Sequence, residues 1–147
     1  MNENESPGDR GSGAATILIV EDDAGAVETF EQILQENGYR VRVAPDAESG
    51  LQAVEHATPS AIILDLHLPM ADGVEFLRQL RTTRPQARIP VALVTGDYFV
   101  EDSVAEDLHK LDVQVYFKPL WEEDLLKLVR DLLDIQSRRG EGARGPH

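Results

Sequence analysis

Carboxylates recur where short apolar runs end in this sequence. Ile17-Leu-Ile-Val20 leads into Glu21-Asp22-Asp23, Ala61-Ile-Ile-Leu64 into Asp65, and Val91-Ala-Leu-Val94 into Thr95-Gly96-Asp97, while a fifth run ends at Lys118-Pro119. Were Glu21, Asp22 and Asp65 to meet, each like-charge pair within about 4–6 Å would cost up to ~4 kcal/mol at an effective dielectric near 20. A hard cation removes that penalty. An all-oxygen donor set with room for water and phosphate oxygens suits Mg²⁺ or Mn²⁺ better than zinc. Asp65, neutralised in this way, is a competent nucleophile toward a phosphoryl donor. Lys118 adds a second positive charge and Thr95 a hydroxyl donor to the phosphoryl oxygens, so the product is an aspartyl phosphate. The plain alternative for any single acid is that it caps the helix that follows, a role that suits Asp23.

The elements that must position these groups are legible as a rhythm. Apolar, β-branched runs at 16–20, 40–44, 61–64, 90–94 and 113–117 alternate with amphipathic helical patterns, the signature of βα units and a parallel sheet. Three runs are continuously apolar, as expected of interior strands covered on both faces, whereas Arg40-Val-Arg-Val43 alternates as an edge strand does. Val27, Phe30 and Leu34 share a helical face, as do Val100, Val104, Leu108 and Leu111, and Leu125, Val129 and Leu132. Gly38 fits a helix stop, and Asp46, Asp72 and Asp124 fit helix starts. In an open sheet ordered 2-1-3-4-5, ligands bind beyond the carboxyl ends of the strands where the order reverses, between strands one and three. Glu21, Asp22 and Asp65 converge there.

The 147 residues suit one domain with a core of its own. The absence of cysteine excludes a disulfide framework, a thiolate nucleophile and thiolate metal sites. With 27 Asp and Glu against 14 Lys and Arg, the net charge of −13 disfavours direct nucleic-acid binding. No signal peptide or membrane span is readable, so a cytoplasmic protein is expected. Residues 1–15 and 137–147 are rich in Gly, charge and small polar groups, which predicts flexible tails around a domain at 16–136.

Taken together, Ile17-Leu-Ile-Val-Glu-Asp-Asp23, Ile63-Leu-Asp-Leu-His-Leu-Pro-Met-Ala-Asp-Gly73, Val94-Thr-Gly96 and Phe117-Lys-Pro119 resemble the receiver domains of two-component response regulators, over residues 16 to about 136. The resemblance implies a flavodoxin-like doubly wound (βα)5 fold. It matches Asp65 to the phosphoacceptor, Thr95 to the hydroxyl that moves toward the phosphoryl group, and Lys118 to the phosphate-pairing lysine. Asp22 matches the main carboxylate ligand of the metal site and Glu21 the first member of its acid pair, standing where Asp is commoner, with an extra methylene that favours contact through water. His67 sits where the family uses a backbone carbonyl as a metal ligand, its imidazole lining the mouth. Pro119 matches a proline that follows a cis peptide bond. The implied partners are a sensor histidine kinase or histidine phosphotransfer protein and a downstream effector protein, with output through a repacked surface of the fourth helix, fifth strand and fifth helix. The usual aromatic switch position holds Val115, and neighbouring Tyr116 should point to the opposite side of the strand.

His67 and Asp97 flank the route of water to the acyl phosphate and are expected to tune its lifetime. His56 and His109 read as surface residues, and Arg78, Arg81, Arg84 and Arg88 as a solvated basic face. Trp121 is expected to pack at the start of the last helix, although an exposed Trp121 would make a partner anchor. The eleven residues after the last helix are too few for an output domain, so signalling by contact or relay is expected, from a switch rather than a turnover enzyme. Two alternatives are a Mg²⁺-dependent phosphatase with an aspartyl nucleophile, and a receiver-like binding module that is never phosphorylated. Haloacid-dehalogenase-like hydrolases place a second acid two residues after the nucleophile, where this chain has His67.

Overall fold

The computed structural model describes residues 14–65, 70–83, 88–96 and 102–143. Within them β1 (Thr16–Val20), β2 (Arg40–Ala44), β3 (Ala61–Asp65), β4 (Val91–Thr95) and β5 (Gln114–Phe117) alternate with α1 (Ala24–Glu36), α2 (Ala47–His56), α3 (Met70–Thr82), α4 (Asp102–Lys110) and α5 (Glu122–Ala143). The strands form one parallel sheet, as the alternation predicts, in the order β2-β1-β3-β4-β5 of the fold that the resemblance implies. The register aligns Ile19 with Ile63, Leu64 with Leu93, and Thr95 with Phe117.

Strand side chains alternate between two cores because successive residues point to opposite faces. Leu18, Val20, Ile62, Leu64 and Leu93 pack with Val54 of α2, Phe76 and Leu80 of α3 and Leu108 of α4. Ile17, Ile19, Ile63 and Val94 pack with Phe30 and Leu34 of α1 and Leu125, Val129 and Leu132 of α5. β1, β3 and β4 are buried almost throughout, and β2 is the exposed edge. Where α2 crosses β1 the contact is close: a Cβ on Gly50 would stand 3.0 Å from Val20 Cγ2 and 3.2 Å from Phe76 Cε1.

Helix ends are closed by the residues the sequence nominates. Asp23 Oδ1 accepts from the amides of Gly25 and Ala26 at the start of α1. Asp46 accepts from Ser49 N at 2.7 Å at the start of α2. Asp124, inside the first turn of α5, reaches back to Trp121 N at 2.8 Å, while Asp72 is the third residue of α3. Gly38, at φ +91°, ends α1 in a Schellman arrangement with Gly38 N on Gln35 O and Tyr39 N on Leu34 O.

Several expectations are corrected. α5 continues through Ala143, past Gln136, so residues 137–143 are helical rather than a flexible tail. No proline interrupts that stretch, and Arg138 pairs with Asp134 one turn back at 2.9 Å. At the other end, Ala15 O accepts from Arg40 N, which ties Ala15 to β2. Trp121 is 71% exposed, because Leu120 takes the packing position against α5 and Trp121 stands at the helix start. Arg81 is not part of a solvated face. Its guanidinium donates to Leu111 O at 2.9 Å, to Asp112 O at 3.2 Å and to Ile89 O, joining α3 to the start of β4 and the α4–β5 turn. Arg42 does the same at the edge, donating to Ala53 O and Ala57 O at the end of α2. Val100 and Arg84 lie outside the described residues.

Arg81→Ala should lower unfolding stability by about 1–3 kcal/mol, since three carbonyls, two of them in partly buried contacts, lose a charged donor. Arg81→Lys should restore little of it, because an ammonium lacks the fork that spans these acceptors; urea unfolding reads both. Asp46 is held below its ordinary carboxyl value of 3.8, chiefly by the backbone hydrogen bond from Ser49. Its contribution is therefore complete above that value and lost as pH falls through the lowered native one. Asp46→Ala should be less stable than wild type at neutral pH, and the gap between their urea midpoints should close on acidification below the ordinary value.

Candidate functional site

The carboxyl ends of β1, β3, β4 and β5 bring four of the nominated side chains to one edge of the sheet. Asp65 and Thr95 are the final residues of β3 and β4 rather than the first residues beyond them, and Asp65 is in register with Val94. Strand geometry therefore fixes both backbones. Glu21, Asp65 and Thr95 are the buried polar residues among those described, at 3%, 2% and 3% exposure. Three polar side chains at that depth in one place are costly unless they are paired.

Lys118 supplies part of the pairing. Its Nζ lies 2.8 Å from Asp65 Oδ1, with the lysine side chain 30% exposed and the carboxylate 1% exposed. Lys118 N donates to Thr95 O at 2.9 Å, so the residue that carries the ammonium is itself held to the end of β4. The Lys118–Pro119 peptide bond is cis, as the resemblance implies. Asp65 Oδ2 is buried and meets no hydrogen-bond donor among the described residues.

Glu21 and Asp22 divide between inside and outside. Glu21 is buried and its Oε2 accepts from Asp23 N at 2.7 Å, whereas Asp22 is exposed. Asp23 caps α1. Among the described residues no group of three or more His, Asp or Glu side chains closes into a metal-holding cluster. Glu21, Asp22 and Asp65 share the edge formed by the carboxyl ends of β1 and β3. A hard cation that keeps several waters needs only one or two carboxylates, and the donors present are oxygens of the right kind. His67 and Asp97 lie outside the described residues.

Next to this edge, Val115 faces the α4 side of the sheet and Tyr116 the α5 side, as strand alternation requires. Burial pushes the Tyr116 phenol above its ordinary value, with Asp131 adding to the rise and Lys127 opposing it. Between α4 and β5 lies a groove of about 300 Å³ lined in part by Leu108, Val115 and Phe117. His56 and His109 are exposed, as expected. The structural arginines Arg42 and Arg81 were missed by sequence reasoning, since nothing in a charge pattern says which guanidinium will meet backbone carbonyls.

Comparison with known proteins gives this arrangement relatives. The chain is 36% identical over 133 residues to the response regulator MprA of Mycobacterium sp. (strain KMS), which covers 88% of the chain and 54% of that protein. It is 38% identical over 120 residues to MprA of Mycobacterium leprae (strain TN), covering 80% and 50%. The chain thus spans about half the length of these relatives. Among solved structures, a CheY-like receiver domain protein from Methanospirillum hungatei JF-1 superposes with a TM-score of 0.75 at 29% identity, covering 86% of this chain and 99% of that one. The receiver domain of sensor histidine kinase PA1611 from Pseudomonas aeruginosa PAO1, which has a magnesium ion coordinated in its active-site cleft, gives a TM-score of 0.72 at 25% identity, covering 83% and 99%. No helix among the described residues is long and apolar enough to cross a membrane. Residues 17–130 match the family model of the response regulator receiver domain, and the chain belongs to that family.

Proposed function

We propose that this chain is a phosphorylation-dependent signalling switch, working in the cytoplasm, that accepts a phosphoryl group on Asp65 from a sensor histidine kinase or a histidine phosphotransfer protein. The observation that carries this reading is the buried Asp65 carboxylate, with Lys118 Nζ at 2.8 Å from Oδ1 and no hydrogen-bond donor to Oδ2 among the described residues. A carboxylate oxygen at that depth fits a cation or a phosphoryl group as its further partner. Glu21, Asp22, Asp65 and the main-chain oxygen of His67 would hold Mg²⁺ or Mn²⁺, whose charge screens the approach of a phosphate dianion to the carboxylate. The magnesium ion in the Pseudomonas receiver domain supports that choice of ion.

In the transfer, a carboxylate oxygen of Asp65 forms the new O–P bond while the P–N bond of a phosphorylated imidazole breaks, and the leaving nitrogen ends protonated. Lys118 then pairs with phosphoryl oxygens, and Thr95 donates its hydroxyl to them. Hydrolysis of the acyl phosphate regenerates Asp65 and releases inorganic phosphate, which makes the chain a resettable switch rather than a turnover enzyme. Residues 16–136 would form the switching unit. Output would pass to a downstream effector protein by contact, or onward by relay. The groove between α4 and β5 supports an output on that side, because Thr95 pairs in register with Phe117, which lines it.

Incubation with Mg²⁺ and acetyl phosphate, followed by intact-mass measurement, should add one phosphoryl group to the wild type and none to Asp65→Asn or to metal-free protein. Absence of a gain from any small donor or kinase would sink the reading, and steady turnover of a phosphate ester would point to a phosphatase instead. His67→Ala and Asp97→Ala should change the rate at which the phosphoryl group is lost. Unchanged decay in both variants would remove these residues from the lifetime control.

A further inference from the structure

The geometry points to Glu21 as a positioning residue: through its Oε2 it holds the backbone amide of Asp23 and so fixes where Asp22 stands at the cation site. This inference rests on the cation reading given under the proposed function. It gives Glu21 a task that the motif does not specify, the ordering of the backbone on which Asp22 stands.

Glu21 is anchored at both ends of its own length. Its amide donates to Ala44 O at the end of β2 at 3.0 Å, and its carboxylate accepts from Asp23 N at 2.7 Å. The second distance lies at the short end of the N–H···O range, as expected of a bond to an ionised acceptor. Asp23 is then held a second time, because its Oδ1 accepts from Gly25 N at 2.9 Å and Ala26 N at 3.4 Å. Asp22 lies between these two fixed points and presents an exposed side chain. The contact from a side-chain oxygen to the amide two residues on has the form of an Asx turn with one added methylene.

The chemistry divides accordingly. Glu21, at 3% exposure, sets the backbone of the β1–α1 connection, and Asp22 offers charge at the surface. A cation that meets Asp22 in an already ordered connection binds without having to order it, whereas loss of the Glu21 contact transfers that ordering to the binding step. A pure ligand role for Glu21 would leave the Asp23 amide of the metal-free protein unaffected by loss of the side chain, whereas a positioning role would not.

Glu21→Gln and Glu21→Ala carry the same charge, and only the first keeps an oxygen for Asp23 N–H. In metal-free protein, amide hydrogen exchange at Asp23 should stay near wild type in Glu21→Gln and quicken by roughly tenfold or more in Glu21→Ala. In Mg²⁺ titrations followed by amide NMR shifts, both variants should bind more weakly than wild type, and Glu21→Ala about fivefold or more below Glu21→Gln, the loss due to positioning. Equal Mg²⁺ affinity in the two variants overturns the inference, as does wild-type exchange at Asp23 in Glu21→Ala. Both of those failures leave the cation reading intact. Wild-type protein that shows no Mg²⁺-dependent shifts would instead defeat the cation reading, and this inference with it.

Discussion

A carboxylate withdrawn almost entirely from water at the end of the middle strand is the constraint on which the rest of this structure depends. Asp65 is the last residue of β3, with β1 on one side and β4 on the other. An isolated ionised carboxylate at such depth is very costly, and the cost is tolerated only where opposite charge or donors are brought to it. Lys118 is brought by β5 and the Lys118–Pro119 connection, and the amide of Lys118 is tied to the end of β4. The order of the sheet is therefore what makes the carboxylate tenable, since it sets strand ends from distant parts of the chain side by side.

The two cores follow from the same arrangement. β1, β3 and β4 are covered on both faces, so α2, α3 and α4 must lie on one side and α1 and α5 on the other. This leaves one edge of carboxyl ends free of helix bodies, and it is the edge where Asp65, Thr95 and Lys118 gather. The helices are in turn held by short polar devices. Asp23, Asp46 and Asp124 close helix starts, Gly38 closes a helix end, and Arg42 and Arg81 tie backbone carbonyls of other segments to their own elements. Several acids of the excess are thus structural, and solubility accounts for only part of the net charge.

What could be foreseen differed by interaction type. Strand and helix positions depend on local periodicity, so the five βα units, the edge character of β2 and the opposite faces of Val115 and Tyr116 were legible. Helix caps depend on the next two or three residues, and Asp23 and Asp46 were legible for that reason. Long-range polar contacts were not. Arg81 sits in a run of arginines that reads as a solvated face, yet its acceptors lie 8, 30 and 31 residues away in sequence. Trp121 was expected to pack, and whether an aromatic at a helix start turns inward depends on which neighbour occupies the inner position first, here Leu120.

By itself the sequence determined the fold class, the strand ends that carry chemistry and the residue types gathered there, because hydrophobic period and short motifs are properties of neighbours along the chain. Only the tertiary structure decided how those residues share the work. It paired Lys118 with one oxygen of Asp65, turned Glu21 inward onto the Asp23 amide while leaving Asp22 exposed, and carried α5 beyond the expected end of the domain. The reason is physical: the energy of a charged group is set by its distance to partners and to water, and those distances exist only once the sheet has brought separate segments together.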